Sequence, residues 1–306
     1  MIFDPGFVGA SNLIAANAGS TAPDTVMSAA ASSSSASNGT WIIEHVADSH
    51  ILEFKPFGEI HLPQFPPVHI GGMTIDFSLT KHIVMIWFAV LLLLIFVQAA
   101  MRSYRKDRAG KKPLVPHGLA NALEVVVVFV RDDIVLGAIG EKGKRLLPYF
   151  LTLFFFVLFS NFVGLIPYTS TPTGNINVTA ALAIIAFFVI QISGIVDHGF
   201  VGYFRGLMPP HIPLFVIPVM VIVEILGLFT KPFALCVRLF ANMSAGHIVI
   251  FSLIGLIFIF HSIFIAPISI AFAVFISLLE ILVGLIQAYI FTMLTALFVG
   301  LAIHQH

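Results

Sequence analysis

The sequence predicts an all-α polytopic membrane protein with about five transmembrane helices, the last two long and strongly tilted, plus an interfacial helix. Of its 306 residues, 58% are hydrophobic and 10% are charged, and the mean hydropathy is +1.03. Soluble domains carry charges on about a quarter of their residues, and a soluble core of this size cannot bury so much apolar surface. Apolar segments of membrane-spanning length recur along the chain. We therefore expect a lipid bilayer to surround most of the protein.

The composition also excludes several classes of function. The 15 basic and 15 acidic side chains give no net charge, whereas a nucleic-acid binder needs a basic surface to meet phosphates. The single cysteine, Cys236, excludes a disulfide framework and a cysteine metal cage, and the sequence has no G-x-x-x-x-G-K-S/T loop for nucleotide phosphates. We expect no nucleic-acid partner, no metal and no cofactor. Four histidines have spacings that match no compact zinc pattern: His45, His50, His61 and His69.

Three regions differ in composition. Residues 1–40 include the low-complexity stretch SAAASSSSASN at 28–38, which predicts a disordered tail. Residues 41–80 are more polar, and prolines at positions 56, 63, 66 and 67 argue against a long helix, so we expect an extracytoplasmic pre-membrane segment. Residues 81–306 form the predicted transmembrane domain.

The first predicted span is 82–100, whose nineteen residues are almost all apolar and approach the roughly 20 that cross a bilayer. Ten of the fifteen basic residues lie in 102–145, and the positive-inside rule places that stretch in the cytoplasm and the N-terminus outside. An apolar segment at about 117–140 is too charged to span, so we expect an interfacial helix on the cytoplasmic side. Its charges are Glu124, Arg131, Asp132 and Asp133.

Four further spans are predicted at 146–167, 178–196, 214–260 and 267–304, which together with the first give a cytoplasmic C-terminus. An interfacial connector is expected at 197–213, which contains glycines, prolines and one arginine. The firm break in the last ninety apolar residues is near Pro267. Each piece would be about 60 Å long as a helix, twice the roughly 30 Å of the hydrocarbon layer, so we expect strong tilt or broken helices.

Four charged residues lie between 214 and 303, and each is a functional candidate because a charge at membrane depth costs at least about 2.5–3.5 kcal/mol. At about 100° per residue, one stripe of the first long helix holds Glu224, Lys231, Arg238 and the polar Asn242. His247 falls on the opposite face of that helix. Polar groups at two depths indicate two separate wet routes rather than one pore.

The last helix carries Glu280 and Gln287, seven residues apart on one face. Antiparallel packing of the two long helices would bring Gln287 near Arg238 and Glu280 near His247. An acid and an imidazole in contact suit a proton relay, because histidine titrates near physiological pH. A purely structural buried pair is the alternative.

The remaining polar residues also leave alternatives open. Lys231 precedes a proline, and an ammonium that reaches the membrane interface is favoured over transport chemistry. Asn242 is equally compatible with a bridge between helices and with a site role. Arg238 stays protonated and cannot relay a proton, but it can displace one from a carboxylate and block a leak. Glu224 lies about 21 Å away along the helix, so we expect Arg238 to meet a carboxylate on another subunit.

Four segments resemble, in the correct order, motifs of subunit a of F-type ATP synthases, the membrane stator that faces the rotating c-ring. The most specific is KPFALCVRLFANMSAGHIVI at 231–250, in which an arginine precedes Leu-Phe-Ala-Asn-Met and a small Ala-Gly pair. The others are SNFVGLIPY at 160–168, TPTGNINVT at 171–179 and LIQAYIFTMLT at 285–295. The resemblance covers about 80–304.

The resemblance implies roles for individual residues near the arginine. Arg238 matches the essential arginine that interacts with the c-ring carboxylate, and Gln287 and Asn242 match its polar neighbours. Glu224 falls where the family has an acidic residue in the half-channel open to the side that holds the catalytic head. Lys231 remains a minor candidate.

A second group of matches departs from the family pattern in part. His247 and Glu280 fall at positions that many bacterial members fill in the opposite order, acid first and histidine second, so the order of proton transfer stays open. Asn161 matches a family asparagine and is a minor candidate. Gly164 stands where some bacterial members carry aspartate, so a polar group is missing there.

The resemblance implies a proton-translocating stator that is not an enzyme on its own. Two aqueous half-channels would load and unload c-ring carboxylates on either side of Arg238, coupling the proton gradient to rotation and ATP synthesis. The implied partners are the c-ring, peripheral stalk subunit b, other ATP synthase subunits, the lipid bilayer and transported protons. A serine-rich tail without transit-peptide arginines favours the bacterial inner membrane. The alternative is a self-contained ion-coupled secondary transporter or channel, although the sequence shows no internal repeat.

Overall fold

The computed structural model describes residues 51–54, 58–61, 63, 68–70, 73–75, 80–109, 118–166, 171–206, 217–260 and 264–304. The predicted disordered tail at 1–40 lies outside these ranges. So does a large part of the predicted pre-membrane segment.

Two short β-hairpins precede the first membrane helix. β1 (Ile51–Phe54) pairs antiparallel with β2 (Gly58–His61), and β3 (Val68–Ile70) pairs antiparallel with β4 (Met73–Ile75). The prolines at 63, 66 and 67 fall between the two hairpins, where their missing N–H groups interrupt no ladder. The sequence analysis predicted the lack of a long helix here but not the strands.

Seven α-helices follow among the described residues, and five of them are long and apolar enough to cross a membrane. This confirms the predicted fold class of an all-α polytopic membrane protein for the part of the chain that the structure describes. The long helices are α1, α4, α5, α6 and α7. In order, the helices are α1 (Lys81–Ala109), α2 (Leu119–Phe129), α3 (Gly137–Ile139), α4 (Leu147–Gly164), α5 (Ile176–Gly206), α6 (Ile217–Phe260) and α7 (Ala266–Ile303).

Two helices extend beyond their predicted ends. α1 continues to Ala109, past the predicted end of the first span at residue 100 and into the basic stretch, since arginine and lysine are good helix formers. α5 continues to Gly206, so the first half of the predicted connector at 197–213 is helical. A break occurs inside it at Gly199, where φ is 73° and ψ is 163°. Only glycine adopts this conformation readily, and it turns the last residues of α5 back toward the helix.

The predicted interfacial helix at about 117–140 is confirmed as a helical segment, but its hydrogen-bonding pattern changes along its length. α2 runs into a π-helical stretch (Val130–Leu136) and then into α3. The wider π turn is rare and occurs mostly inside α-helices. Here Ile134 and Val135 are buried in it while the charges at 131–133 stay exposed. Arg131 donates to Asp132 at 2.7 Å on that exposed side.

α4 is the most enclosed of the five long helices. Of its span, 56% is buried, compared with 11% for α6. Its phenylalanines pack into a core shared with α5, α6 and α7, where Phe150, Leu239 and Phe291 are almost completely buried. α6 therefore presents most of its surface outward, as expected for a helix in contact with lipid or a partner protein.

Small residues allow the closest backbone approaches, as is usual between membrane helices. A Cβ atom at Gly300 of α7 would lie 2.2 Å from the carbonyl oxygen of Ala138 in α3. A backbone oxygen cannot rotate away as a side chain can. The interfacial segment is therefore held directly against the end of the last helix.

Replacement of Gly300 by alanine should destabilise the protein. We expect a lower Tm in detergent and a loss of about 1–3 kcal/mol of stability, typical of overpacking. The matched control is Gly137→Ala, since a Cβ there would be an ordinary 3.6 Å from the nearest atom. Equal Tm values for the two variants would contradict the proposed packing.

Candidate functional site

An acid and an imidazole meet where α6 packs against α7. His247 Nδ1 lies 2.5 Å from Glu280 Oε1. The side chain of Glu280 is 4% exposed and that of His247 is 17% exposed. The predicted proximity of these two residues is confirmed. Because buried ionisable groups are costly unless paired, their mutual contact is what makes the burial tolerable.

Gly246 makes room for the carboxylate. A Cβ atom at this position would lie 2.8 Å from Glu280 Oε1 and 3.0 Å from its Cδ. The helix backbone at 246 therefore forms one wall of the site. The adjacent His247 provides the polar contact, so two consecutive residues of α6 determine where the carboxylate lies.

The far side of the imidazole contacts the loop between α4 and α5. Thr171 Oγ1 lies 2.6 Å from His247 Nε2. Thr171 begins a single 3₁₀ turn (Pro172–Gly174). Both ring nitrogens of His247 therefore have polar partners, one from a helix and one from a loop.

The 3₁₀ turn is anchored to three helices. The hydroxyl of Thr173 donates to Asn161 Oδ1 at 2.7 Å, and Asn161 Nδ2 donates to the carbonyl of Gly284 at 3.0 Å. From α6, the hydroxyl of Ser244 donates to the carbonyl of Gly174 at 3.3 Å. Asn161, matched by the family motif, thus ties α4 to α7 and to the turn.

A second polar contact between the long helices lies toward the middle of the site. Asn242 Nδ2 donates to Gln287 Oε1 at 3.0 Å. Gln287 is buried, whereas Asn242 is partly accessible on the outer face of α6. The sequence analysis expected Gln287 near Arg238, and the structure gives its hydrogen bond to Asn242, one turn farther along α6.

Arg238 lies on the outer face of α6. Its side chain is exposed, while the adjacent Leu239 is completely buried in the core. Among the described residues, the guanidinium has no hydrogen-bond or ion-pair partner. A permanent cation thus faces outward from a helix long and apolar enough to cross a membrane.

A cavity of about 230 Å³ lies near the beginning of α6. Its lining includes Glu224 and Lys231, which the helical periodicity placed on one stripe, together with Gln191 and Tyr203 from α5. Tyr203 donates to Gln191 Oε1 at 2.8 Å. Polar and apolar side chains share the lining, and the cavity is large enough for several water molecules.

Lys231 lies on the wall of this cavity. Its ammonium lies over the ring of Phe298, 5.3 Å from the ring centroid. A cation over an aromatic face is attracted by the ring quadrupole. This contact gives the lysine a stabilising neighbour beside the cavity, and α6 continues as a helix through the following Pro232.

Of the two polar regions, that of Glu224 lies near the beginning of α6 and that of His247 lies in its second half, with Arg238 between them. Glu224 and His247 are 23 residues apart, which corresponds to about 35 Å along a helix. The division into two wet routes at different depths stays a prediction.

Several polar residues of these regions were missed by the sequence analysis. Thr171 and Thr173 occurred inside a quoted motif, but isolated loop threonines carry no periodic signal. Tyr203 and Gln191 come together because α5 turns back at Gly199, and a glycine followed by an aromatic residue is a weak indication. Among the described residues, no three His, Cys, Asp or Glu side chains are grouped to hold a metal ion.

Comparison with known proteins gives consistent results. The family described as ATP synthase A chain matches residues 83–300. An ATP synthase subunit a from Chloroherpeton thalassium is 52% identical over 261 residues, covering 85% of this chain and 76% of the relative. An ATP synthase subunit a 2 from Chlorobium luteolum is 48% identical over 266 residues, covering 86% and 75%.

A third relative matches a shorter part of this chain. The ATP synthase subunit a of Myxococcus xanthus is 48% identical over 237 residues, covering 76% of each chain. The family match covers nearly all of the five long helices, and the polar residues of the two regions lie within it. On this match and on these identities, the chain belongs to the ATP synthase subunit a family.

Proposed function

We propose that this protein is the proton-translocating stator of an F-type ATP synthase, with two half-channels separated by Arg238. The observation that carries the proposal is the exposed guanidinium, without a partner among the described residues, between two polar regions of one membrane-length helix. An arginine facing lipid would be costly. A carboxylate on a neighbouring subunit would relieve that cost and also receive or lose a proton there.

The entry half-channel includes His247 and Glu280. Their 2.5 Å contact allows a proton to move between imidazole and carboxylate without a large displacement of either side chain. Thr171 and Asn161 provide the polar surroundings on the loop side of the pair. In this proposal the proton then reaches the c-ring carboxylate and neutralises it, so that the carboxyl group can enter lipid.

The exit half-channel is the cavity that Glu224 lines. After nearly a full turn of the ring, the carboxyl group meets water on this side and releases its proton. Lys231 and Tyr203 contribute polar atoms to the wall of the same cavity. The membrane potential supplies about 2.3 kcal/mol per charge for each 100 mV crossed.

Arg238 prevents a direct path between the two regions. It keeps its proton at any physiological pH, so it repels another cation and attracts the deprotonated carboxylate. Asn242 and Gln287 form a hydrogen-bonded bridge one turn away, which fixes the spacing of α6 and α7 beside the arginine. We place the c-ring against the outer face of α6 that carries Arg238.

The remaining partners and the orientation follow from the family and from charge. We place peripheral stalk subunit b and other ATP synthase subunits around this chain in a bacterial inner membrane. The basic residues at 102–145 lie in the cytoplasm, the N-terminus lies outside and the C-terminus lies in the cytoplasm. The chain requires these partners for ATP synthesis and is not an enzyme alone.

Replacement of Arg238 by alanine should abolish proton-driven ATP synthesis while the complex still assembles. The reason is that an uncharged side chain can neither attract the ring carboxylate nor block a leak. ATP synthesis is measured in vesicles energised by a proton gradient, and assembly by co-purification of the ring subunits. Arg102→Ala, which removes an exposed cation at the end of α1, is the matched control and should keep its activity. Coupled synthesis in the Arg238 variant at the level of the control would refute the mechanism.

The same preparation separates this function from a self-contained transporter. The purified chain alone, placed in liposomes, should not move protons down an imposed gradient at a rate comparable with the complex. Restoration should require the c-ring. Ion transport by the chain alone would favour the transporter.

Exchange of the acid and the imidazole should be partly tolerated. We expect His247→Glu combined with Glu280→His to retain more proton pumping than either single substitution, because only the double variant keeps one acid beside one imidazole. Pumping is followed by the quenching of a pH-sensitive dye upon ATP addition. Double-variant activity at or below both singles would show that the two residues do not act as a pair.

Gly246→Ala tests the relay without removing a titratable group. The new methyl would displace the Glu280 carboxylate from His247, so we expect slower ATP synthesis, about tenfold if one charge-assisted hydrogen bond is lost. The complex should still assemble, since a flexible carboxylate can shift. Gly202→Ala, where a Cβ would meet its nearest atom at 3.6 Å, is the control. Unchanged synthesis in Gly246→Ala would argue against the relay.

A further inference from the structure

The volume beside Gly164 is occupied by a hydroxyl group from the following loop. A Cβ atom at Gly164 would lie 1.9 Å from Thr171 Oγ1 and 2.6 Å from Thr171 Cβ. No side chain can therefore be added at 164 without expelling Thr171. Thr171 itself is only 3% exposed, so its hydroxyl is enclosed between the end of α4 and the ring of His247.

The hydroxyl and the carboxylate contact opposite sides of one imidazole. Thr171 Oγ1 lies 2.6 Å from Nε2, and Glu280 Oε1 lies 2.5 Å from Nδ1. On its own helix, His247 meets the ring of Phe251 edge-on at 6.4 Å between centroids. Among the described residues, Glu280 is the titratable group in contact with the imidazole, and Thr171 is the other polar contact.

The position of Thr171 is fixed by the contacts of the turn that it begins. The backbone N–H of Gly174 donates to the carbonyl of Thr171 at 3.0 Å. The next threonine, Thr173, is completely buried and bound to Asn161 of α4. A hydroxyl on a turn held by such contacts orients its hydrogen-bond partner better than a hydroxyl on a freely moving loop.

We propose that Thr171 is a positioning residue that sets the tautomer and ring orientation of His247 in the relay. This rests on the proposed function of the His247–Glu280 pair. In the neutral ring, Nδ1–H donates to Glu280, and Nε2 accepts the hydroxyl proton of Thr171. In the cationic ring both N–H groups donate, Nδ1–H to Glu280 and Nε2–H to Thr171 Oγ1, and the hydroxyl proton of Thr171 is turned away by rotation about the Cβ–Oγ1 bond.

The hydroxyl suits this role because it donates and accepts through the same oxygen. The hydrogen bond at one imidazole nitrogen determines which nitrogen carries the proton. A carboxylate at Nδ1 and a hydroxyl at Nε2 together favour a ring whose proton on Nδ1 already points at the acid. Thr171 thus keeps the imidazole of His247 aligned with Glu280 in both the neutral and the cationic state of the ring.

The test compares three variants in the assembled complex. Thr171→Val keeps the shape and removes the hydroxyl, and it should slow proton-driven ATP synthesis by about tenfold, as expected for one lost hydrogen bond to an ionisable ring. Thr171→Ser keeps the hydroxyl and should restore the rate. Thr295→Val is the control, since that hydroxyl is equally buried but bonded to the carbonyl of Phe291 in its own helix. A Thr171→Val rate equal to that of the control would overturn the proposal.

A spectroscopic measurement distinguishes positioning from general stability. Solid-state ¹⁵N spectra of histidine-labelled complex, with the His247 signals assigned by their loss in His247→Gln, should show a neutral ring protonated on Nδ1. Thr171→Val should move the Nε2 signal, and Thr171→Ser should leave it in place. A wild-type ring protonated on Nε2 alone would overturn the proposal even if the valine variant failed to assemble.

The Arg238→Ala variant is measured in the same vesicles to keep the two ideas separate. If it remains coupled, the proposed function fails, and with it the role of Thr171. If it is inactive while Thr171→Val matches wild type in both rate and spectrum, the proposed function stands and the assignment of Thr171 is wrong.

Discussion

A permanently charged side chain on the outer face of a membrane-length helix is the constraint on which the arrangement depends. Lipid cannot solvate Arg238, and the structure describes no carboxylate of this chain within reach of it. The face of α6 that carries the arginine is therefore incomplete in the isolated chain. Because Leu239 is buried in the core, α6 is rotated so that the adjacent Arg238 points outward. The packing that buries the leucine therefore also exposes the cation.

In the proposed function, the unusual length of the last two helices serves to separate the two polar regions. α6 has 44 residues and α7 has 38, or about 66 and 57 Å at 1.5 Å per residue. Glu224 and His247 are 23 residues apart on α6, a separation longer than a helix of ordinary spanning length can hold. In the proposed function, this length lets one polar region approach each membrane surface with the arginine between them.

Hydropathy and helical periodicity predicted the elements and faces that depend on local sequence. The five spans follow from apolar length, and the contact between His247 and Glu280 follows from spacing on two antiparallel helices. To predict a hydrogen bond of Gln287 to Asn242, and not a contact with Arg238, would have required knowledge of the directions of these side chains. At the ends of helices the periodic signal is lost, which is why α1 and α5 continue past their predicted limits.

What the sequence did not predict depends on chain reversals. Thr171 reaches His247 because a 3₁₀ turn folds between α4 and α6, and Tyr203 reaches Gln191 because α5 breaks at Gly199. Neither contact has a fixed sequence spacing. The family resemblance indicated a missing polar group at Gly164, where some bacterial members carry aspartate. In the folded chain its missing Cβ is the reason that a hydroxyl from the loop can occupy that volume, so the polar group is supplied from another position.

The placement of the imidazole on α6 and the acid on α7 gives the entry region a direction in the proposed function. Thr171 and the loop contact the imidazole, and the imidazole contacts Glu280, which is the more deeply buried of the pair. On α7, Glu280 lies seven residues, or about 10 Å, before Gln287 on the same face. Gln287 in turn bonds Asn242, one turn from Arg238. The polar groups thus form a series from the loop to the arginine, with the imidazole nearest the loop, then the carboxyl group of Glu280, and then the bridge between Gln287 and Asn242. If the acid and the imidazole exchanged positions, the hydroxyl of Thr171 would contact a carboxylate instead of an imidazole. The fixed orientation that an imidazole gains from a separate partner at each ring nitrogen would then be lost.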